Sequence, residues 1–128
     1  MSDDPFAPWR TYETEEEAAA RTIIECACAI YGVQAGDFHL RRRSEAIDTA
    51  RAVSMAAVYD LIRSWTAARI ARRFKRSSHS QVLRARDRCN GALREEYVKF
   101  REAILTHPDV KLVAKMYCTA PPQGSGGA

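Results

Sequence analysis

The 128-residue sequence lacks the patterns that mark a membrane protein or a nucleotide-binding enzyme. No stretch approaches the roughly 18 apolar residues of a membrane span. The acidic beginning MSDDPFAPWR contains no apolar signal core, so we expect a cytoplasmic protein. The chain also has no GxxxxGK[ST] loop, which excludes a P-loop nucleotide site. We therefore expect no cofactor, no nucleotide and no membrane among its partners.

Cysteine and histidine are too scattered to indicate a metal centre or a catalytic site. The four cysteines include no CxxC pair, and Cys26 and Cys28 diverge if their segment is helical. Buried, reduced thiols in a cytosolic protein are the better interpretation. No pair of carboxylates at helical spacing stands beside any of the three histidines, so we expect no metal and no enzymatic activity.

Acidic residues are scarce in the middle of the chain, where arginine is abundant. Residues 41–88 carry twelve Arg and one Lys against four acids, a net charge of +9, whereas residues 1–40 carry two Arg against eight acids. Such a basic block is typical of a polyanion-binding surface. Arginine suits this role because its guanidinium donates paired hydrogen bonds to phosphate or guanine. A solvated charged surface is the alternative.

Strand patterns and repeats are absent, and apolar residues recur at spacings of three and four, which predicts an all-α fold. Thr14 with Glu17 forms a capping box at the start of the first helix, and Gly32 ends that helix. The last long helix either continues past Asn90-Gly91 to about 105 or breaks there. The predicted helices are about 15–31, 45–64 (capped by Ser44), 67–74, and a segment capped by Ser77 or Ser78.

This pattern predicts one compact helical domain with short additions at both ends. Proline near the beginning and a Pro/Gly-rich end predict flexible segments. The expected divisions are an arm over 1–13, a helical DNA-binding domain over 14–106, a short C-terminal helix over 107–118, and a disordered tail over 119–128.

The spacing of two predicted helices is that of a helix-turn-helix: the first begins after Thr66, and a three-residue break separates it from the helix that begins at Ser78. Ala71 is the small residue expected where the two helices touch. The apolar anchors of the crossing would be Ile70, Phe74, Val82 and Ala85. An ordinary helical bundle is the alternative.

Polar side chains occupy the first turn of the second helix, which enters the major groove in a helix-turn-helix. Gln81 can form two hydrogen bonds with adenine, and Ser78 and Ser80 can bond base edges or phosphates. His79 can offer a ring nitrogen or pack on a thymine methyl, and Arg84 suits a phosphate. Helix-capping serines and an ordinary surface histidine are the alternatives.

A run of three arginines, Arg41, Arg42 and Arg43, precedes the helix that Ser44 caps. Arginine in a loop can enter the minor groove, where narrow A·T stretches concentrate negative potential. A solvated triplet at a helix start is the alternative.

Five short segments occur in a fixed order over roughly half the chain. They are YGV…DF at Tyr31–Phe38, RRRS at Arg41–Ser44, AR…M at Ala50–Met55, T..RIARRF at Thr66–Phe74, and SHSQVLRA at Ser78–Ala85. In this order, the region from about Arg21 to Arg88 resembles the C-terminal DNA-binding domain of the bacterial replication initiator DnaA. The resemblance implies an all-helical fold related to the Trp repressor, with a DNA site bound from two sides.

The resemblance also implies a role for individual residues. Arg43, with Arg42, would enter the minor groove, Ser78 to Gln81 would enter the major groove, and Arg51 would contact the DNA backbone. Lys75-Arg76 stands where the family has paired glycines, and both residues join the expected DNA-binding set.

Two of the residues expected in the major groove depart from the family pattern, because Ser78 stands where the family has Asp and Gln81 where it has Thr. The family's ATPase module has no counterpart here, so the chain is not expected to initiate replication by itself.

We therefore expect sequence-specific binding to double-stranded DNA by a nucleoid-associated regulator of transcription or replication. The alternative is a protein-interaction module that kept the fold, with a homodimer or a protein partner held through the acidic N-terminal helix or the C-terminal helix. A third possibility is an RNA-binding protein.

Overall fold

The computed structural model describes residues 13–39, 44–75 and 78–118. These residues form six α-helices and one short 3-10 helix at Ala35–His39, with no strand among them. This confirms the all-α class. None of these helices is long and apolar enough to cross a membrane. The α-helices are α1 (Glu15–Tyr31), α2 (Glu45–Leu61), α3 (Ala67–Arg73), α4 (Ser80–Cys89), α5 (Arg94–Ile104) and α6 (Pro108–Cys118).

Side-chain caps begin the first three helices, as the sequence predicts. The Thr14 hydroxyl accepts from the Glu17 N–H at 3.1 Å, and the Glu17 carboxylate accepts from the Thr14 N–H at 3.2 Å. The hydroxyls of Ser44 and Thr66 cap α2 and α3 by accepting from the N–H groups of Ile47 and Arg69, without a return bond. Gly32 ends α1 in the left-handed conformation, with φ of 69°. The bounds predicted for α1 are thus confirmed.

The structure corrects one predicted helix end and settles one that the sequence left open. The helix predicted to reach 64 ends at Leu61, because the chain turns there and the Trp65 N–H donates to the Ile62 carbonyl at 3.1 Å. That turn buries both side chains. The break at Asn90–Leu93, which the sequence left open, separates α4 from α5.

The start of α4 also differs from the sequence prediction. Its N-cap is His79, whose side chain makes no capping bond, whereas the Ser78 hydroxyl accepts from the Ser80 N–H at 3.2 Å. The sequence predicts Ser77 or Ser78 as the N-cap, but Ser78 lies one residue before the N-cap and still bonds a backbone N–H at the start of the helix. Ser77 lies outside the described residues.

Helix α2 lies at the centre of the core and contacts every other α-helix. Its buried side includes Ala50, Ala56 and Ala57, which have no accessible surface and let neighbouring helices approach closely. Buried Ser54 satisfies its hydroxyl by donating to the Ala50 carbonyl at 2.6 Å. Central placement of α2 fixes α1 on one side of it and the α3–α4 pair on another.

Helix α6 packs against α1 and is part of the core. Val110 and Val113 are fully buried, and the Thr22 hydroxyl donates to the Asp109 carboxylate at 3.1 Å. Helix α6 occupies the segment for which the sequence predicts a short C-terminal helix, and its buried valines belong to the core. The predicted arm, except Glu13, and the predicted tail lie outside the described residues.

Candidate nucleic-acid interface

Helices α3 and α4 form a helix-turn-helix whose contact surface is the predicted one. Ala71, the small residue expected between the two helices, is 3% exposed, and Ile70 and Val82 have no exposed surface. Phe74 and Ala85 are also buried. Phe74 stacks on Phe38 with ring centroids 5.8 Å apart, which ties the turn to the 3-10 helix. The burial predicted for these apolar residues is thus confirmed.

The turn between the two helices contains a backbone conformation that non-glycine residues rarely adopt. Lys75 has φ of 58°, in the left-handed region, and its side chain is exposed. This is the position at which the sequence departs from the paired glycines of the resemblance. Arg76, the other cation predicted in the turn, lies outside the described residues.

The two residues before α4 and the first two residues of that helix are polar and lie in different environments. His79 is exposed, whereas Ser78, Ser80 and Gln81 are half-buried. The Ser78 and Ser80 hydroxyls lie 2.6 Å apart, so each serine already has a polar contact within the protein. His79 is therefore the exposed side chain among the four, and Gln81 lines a cleft between α2 and α4.

A polar cleft of about 200 Å³ lies between the first half of α2 and α4. It brings together residues that are far apart in the chain, because α2 and α4 pack along their lengths. Arg84, the predicted phosphate ligand, is exposed at this cleft. The charged and amide side chains that line it are Asp48, Arg51, Gln81, Arg84 and Arg88.

The guanidinium of Arg51 is directed at the protein's own backbone. Its Nη1 donates to the Phe38 carbonyl at 2.9 Å, its Nη2 lies 3.4 Å from Asp48 Oδ1, and the side chain is 15% exposed. Arg51 therefore holds the end of the 3-10 helix, immediately before the segment 40–43. The predicted minor-groove residues Arg41, Arg42 and Arg43 lie in that segment and outside the described residues.

Asp48 is the residue of this surface that sequence reasoning missed. Its carboxylate pairs with Arg51 on the same helix and with Arg88 of α4 at 3.0 Å. The i,i+3 spacing to Arg51 was a visible signal, but the contact to Arg88 depends on how α2 and α4 pack. One carboxylate thus partly neutralises two cations of the basic block.

The cysteines whose side chains the structure describes differ in burial. Cys89 is buried, and burial raises the pKa of its thiol to about 12, whereas Cys26 and Cys28 are half-buried. The expectation of buried thiols is therefore right for Cys89 and wrong for Cys26 and Cys28. No group of three or more His, Cys, Asp or Glu residues in the described chain could hold a metal ion.

Comparison with known proteins identifies the family. The family model of the bacterial DnaA protein helix-turn-helix matches residues 20–88, just over half of the chain. No curated protein and no solved structure matches the chain. The matched range covers most of α1, the 3-10 helix, α2, α3 and nearly all of α4, and so includes the helix-turn-helix and the polar cleft. The chain belongs to the bacterial DnaA helix-turn-helix family, a family of DNA-binding domains.

Proposed function

We propose that this chain binds double-stranded DNA in a sequence-specific way and regulates transcription or replication. The observation that carries the proposal is the cleft between α2 and α4. There, half-buried Gln81 at the start of α4 shares one surface with exposed Arg84 and with the first turns of α2. Base-reading and phosphate-binding side chains must lie together in this way to engage one groove and its edge.

In the proposed complex the first turn of α4 enters the major groove. Exposed His79 contacts a base edge or a thymine methyl, and the amide of Gln81 pairs with the N6/N7 edge of adenine. Ser78 and Ser80 hold the turn through their hydroxyl contact, so their part in base recognition is smaller. Arg84 binds the backbone phosphate beside the groove.

The basic triplet supplies the second contact of the proposed complex. Arg42 and Arg43 enter the neighbouring minor groove, while Arg51 fixes the preceding residues through its bond to the Phe38 carbonyl. Lys75 and Arg76 add positive charge in the turn that joins α3 and α4. Because Ser78 and Gln81 replace the family's Asp and Thr, the preferred DNA sequence differs from the usual initiator site.

Selection from a pool of random duplexes tests the proposal. We expect one enriched motif, with an adenine at the position that Gln81 contacts. Gln81→Ala should relax that position by about 1–3 kcal/mol without changing the rest of the motif. Gln34→Ala, an exposed glutamine outside the helix-turn-helix, is the matched control. Failure to enrich any motif would exclude sequence-specific binding, and equal binding to structured RNA would favour the RNA-binding alternative.

A further inference from the structure

A second basic groove, of about 420 Å³, lies along the outer side of α3, the first helix of the helix-turn-helix. The proposed function above uses none of the side chains that line it. They are Glu13, Glu17, Trp65, Arg69, Arg72 and Arg73. The three arginines of this groove lie on a helix of seven residues and outnumber the two glutamates, so the groove is positively charged overall.

Buried Trp65 holds one of these cations in place. The guanidinium carbon of Arg69 lies 4.2 Å from the centre of the Trp65 ring, and Trp65 is 5% exposed. A cation stacked on a fixed aromatic ring loses less conformational freedom when it binds an anion. Arg72 and Arg73 are exposed in the last turn of the same helix. The groove therefore presents one positioned guanidinium and two more beside it.

Carboxylates from the start of α1 lie in this groove beside the arginines. Glu17 Oε2 lies 3.6 Å from Arg69 Nη2, while its Oε1 accepts from the Thr14 N–H in the capping box. Glu13 is bonded to Arg21, which lowers the pKa of the Glu13 carboxyl, and the charge of Arg73 acts in the same direction. The acidic start of α1 thus occupies positions that an external anion would take.

We propose that Arg69, Arg72 and Arg73 form a second contact for the phosphate backbone of the bound duplex, and that Glu17 competes with that phosphate for Arg69. This inference rests on the proposed function. In a helix-turn-helix the first helix crosses the DNA backbone while the second lies in the major groove, which places the groove on α3 near phosphates. A phosphodiester carries the same single negative charge as a carboxylate and accepts the same paired bonds from arginine.

The competing carboxylate is easily displaced. Glu17 and Arg69 are 35% and 45% exposed, and an exposed ion pair of this kind adds little stability. A duplex, by contrast, offers a row of phosphates whose counterions are released when cations bind. Glu17 therefore lowers the affinity for DNA by a modest factor and does not block binding.

Four variants on a mixed-sequence duplex, titrated at several salt concentrations, test the inference. Glu17→Gln keeps the capping box, since glutamine also accepts from the Thr14 N–H, and should tighten binding about twofold to fivefold. Arg69→Gln should weaken binding and lower the slope of log K against log salt by about 0.9, the value for one phosphate contact. Arg69→Lys should retain that slope. In the double variant the effect of Glu17→Gln should disappear.

Exposed residues of α5 provide the controls for net charge. Glu102→Gln and Arg101→Gln make the same charge changes outside the helix-turn-helix. If Glu17→Gln behaves like Glu102→Gln, or if Arg69→Gln leaves the slope unchanged, the α3 contact is wrong while DNA binding by α4 stands. If the wild-type chain binds no duplex at all, the proposed function fails with it. Binding of an acidic polypeptide that DNA does not displace would assign the groove to a protein partner.

Discussion

The carboxylate of Asp48 on α2 joins the guanidinium of Arg88 on α4, with Oδ2 3.0 Å from Nη1. This ion pair crosses the polar cleft that carries the proposed DNA contacts. Both side chains are more than 40% exposed, so the pair stabilises the fold only slightly. Its main consequence is electrostatic, because it places a negative charge among the cations that would face phosphate.

Asp48→Asn should therefore tighten DNA binding while costing little stability. Removing the carboxylate leaves Arg88 available to a phosphate, which should raise the affinity for a mixed-sequence duplex about twofold to fivefold. The free energy of unfolding should fall by at most about 1 kcal/mol in urea. Glu102→Gln corrects for the change in net charge. Weaker binding by Asp48→Asn would mean that the carboxylate orders the cleft for DNA.

Arg51→Ala should weaken binding to all DNA sequences alike, because Arg51 holds Phe38 in the 3-10 helix that precedes the basic triplet. The variant loses the bond to the Phe38 carbonyl, and the free energy of unfolding should fall by about 1.5–3 kcal/mol, the contribution of a hydrogen bond from a charged group. If Arg51 acts through this bond, the salt slope of binding should stay the same. A slope lower by about 0.9 would show instead that Arg51 contacts a phosphate directly, as the resemblance implies.

The starts of the first three α-helices and the end of α1 follow from local sequence signals. Thr14, Gly32, Ser44 and Thr66 act within one turn of themselves, so their effects can be predicted without the tertiary structure. The end of α2 was predicted three residues too late, because Ile62 and Trp65 keep the apolar spacing after the helix has ended. The spacing of apolar residues indicates which side chains are buried. A turn that buries side chains at this spacing therefore cannot be distinguished from a continuing helix by the pattern alone.

The contents of the candidate site were less predictable than the helices. Gln81 and Arg84 stood out because they follow a helix start, whereas the role of Asp48 depends on a contact with a residue forty positions away. The internal bond of Arg51 depends likewise on how the 3-10 helix folds onto α2. Such contacts are fixed by packing between helices, which residue spacing within one helix does not report.

Lys75→Gly should stabilise the protein, because Lys75 adopts a left-handed backbone conformation with φ of 58°. A side chain costs about 1–2 kcal/mol in that conformation, and glycine avoids this cost but gains freedom in the unfolded chain. The net increase in the free energy of unfolding should be about 0.5–1 kcal/mol in urea. Lys75→Ala removes the same charge but keeps the strain, so it should not stabilise. Equal effects of the two substitutions would assign the gain to charge alone.

Buried Cys89 should make the fold sensitive to alkaline pH. Burial is the main cause that raises the pKa of its thiol from 9.0 to about 12, with Asp60 acting in the same direction and Arg88 against it. The folded state thus binds this proton more tightly than the unfolded state, so the contribution is intact below pH 9 and is lost as the pH rises from 9 towards 12. The melting temperature of the wild type should fall as the pH rises over this range, and that of Cys89→Ala should fall less steeply. The packing that the variant loses lowers its melting temperature at every pH, so only the slope with pH is compared. The phenol of Tyr97, whose pKa burial also raises, titrates in both proteins, and the charge of Cys89 adds to its shift only in the wild type, so the difference between the two proteins reports the thiol and this coupling together. If the melting temperatures of the two proteins fall equally over this pH range, the Cys89 thiol does not contribute to the alkaline sensitivity.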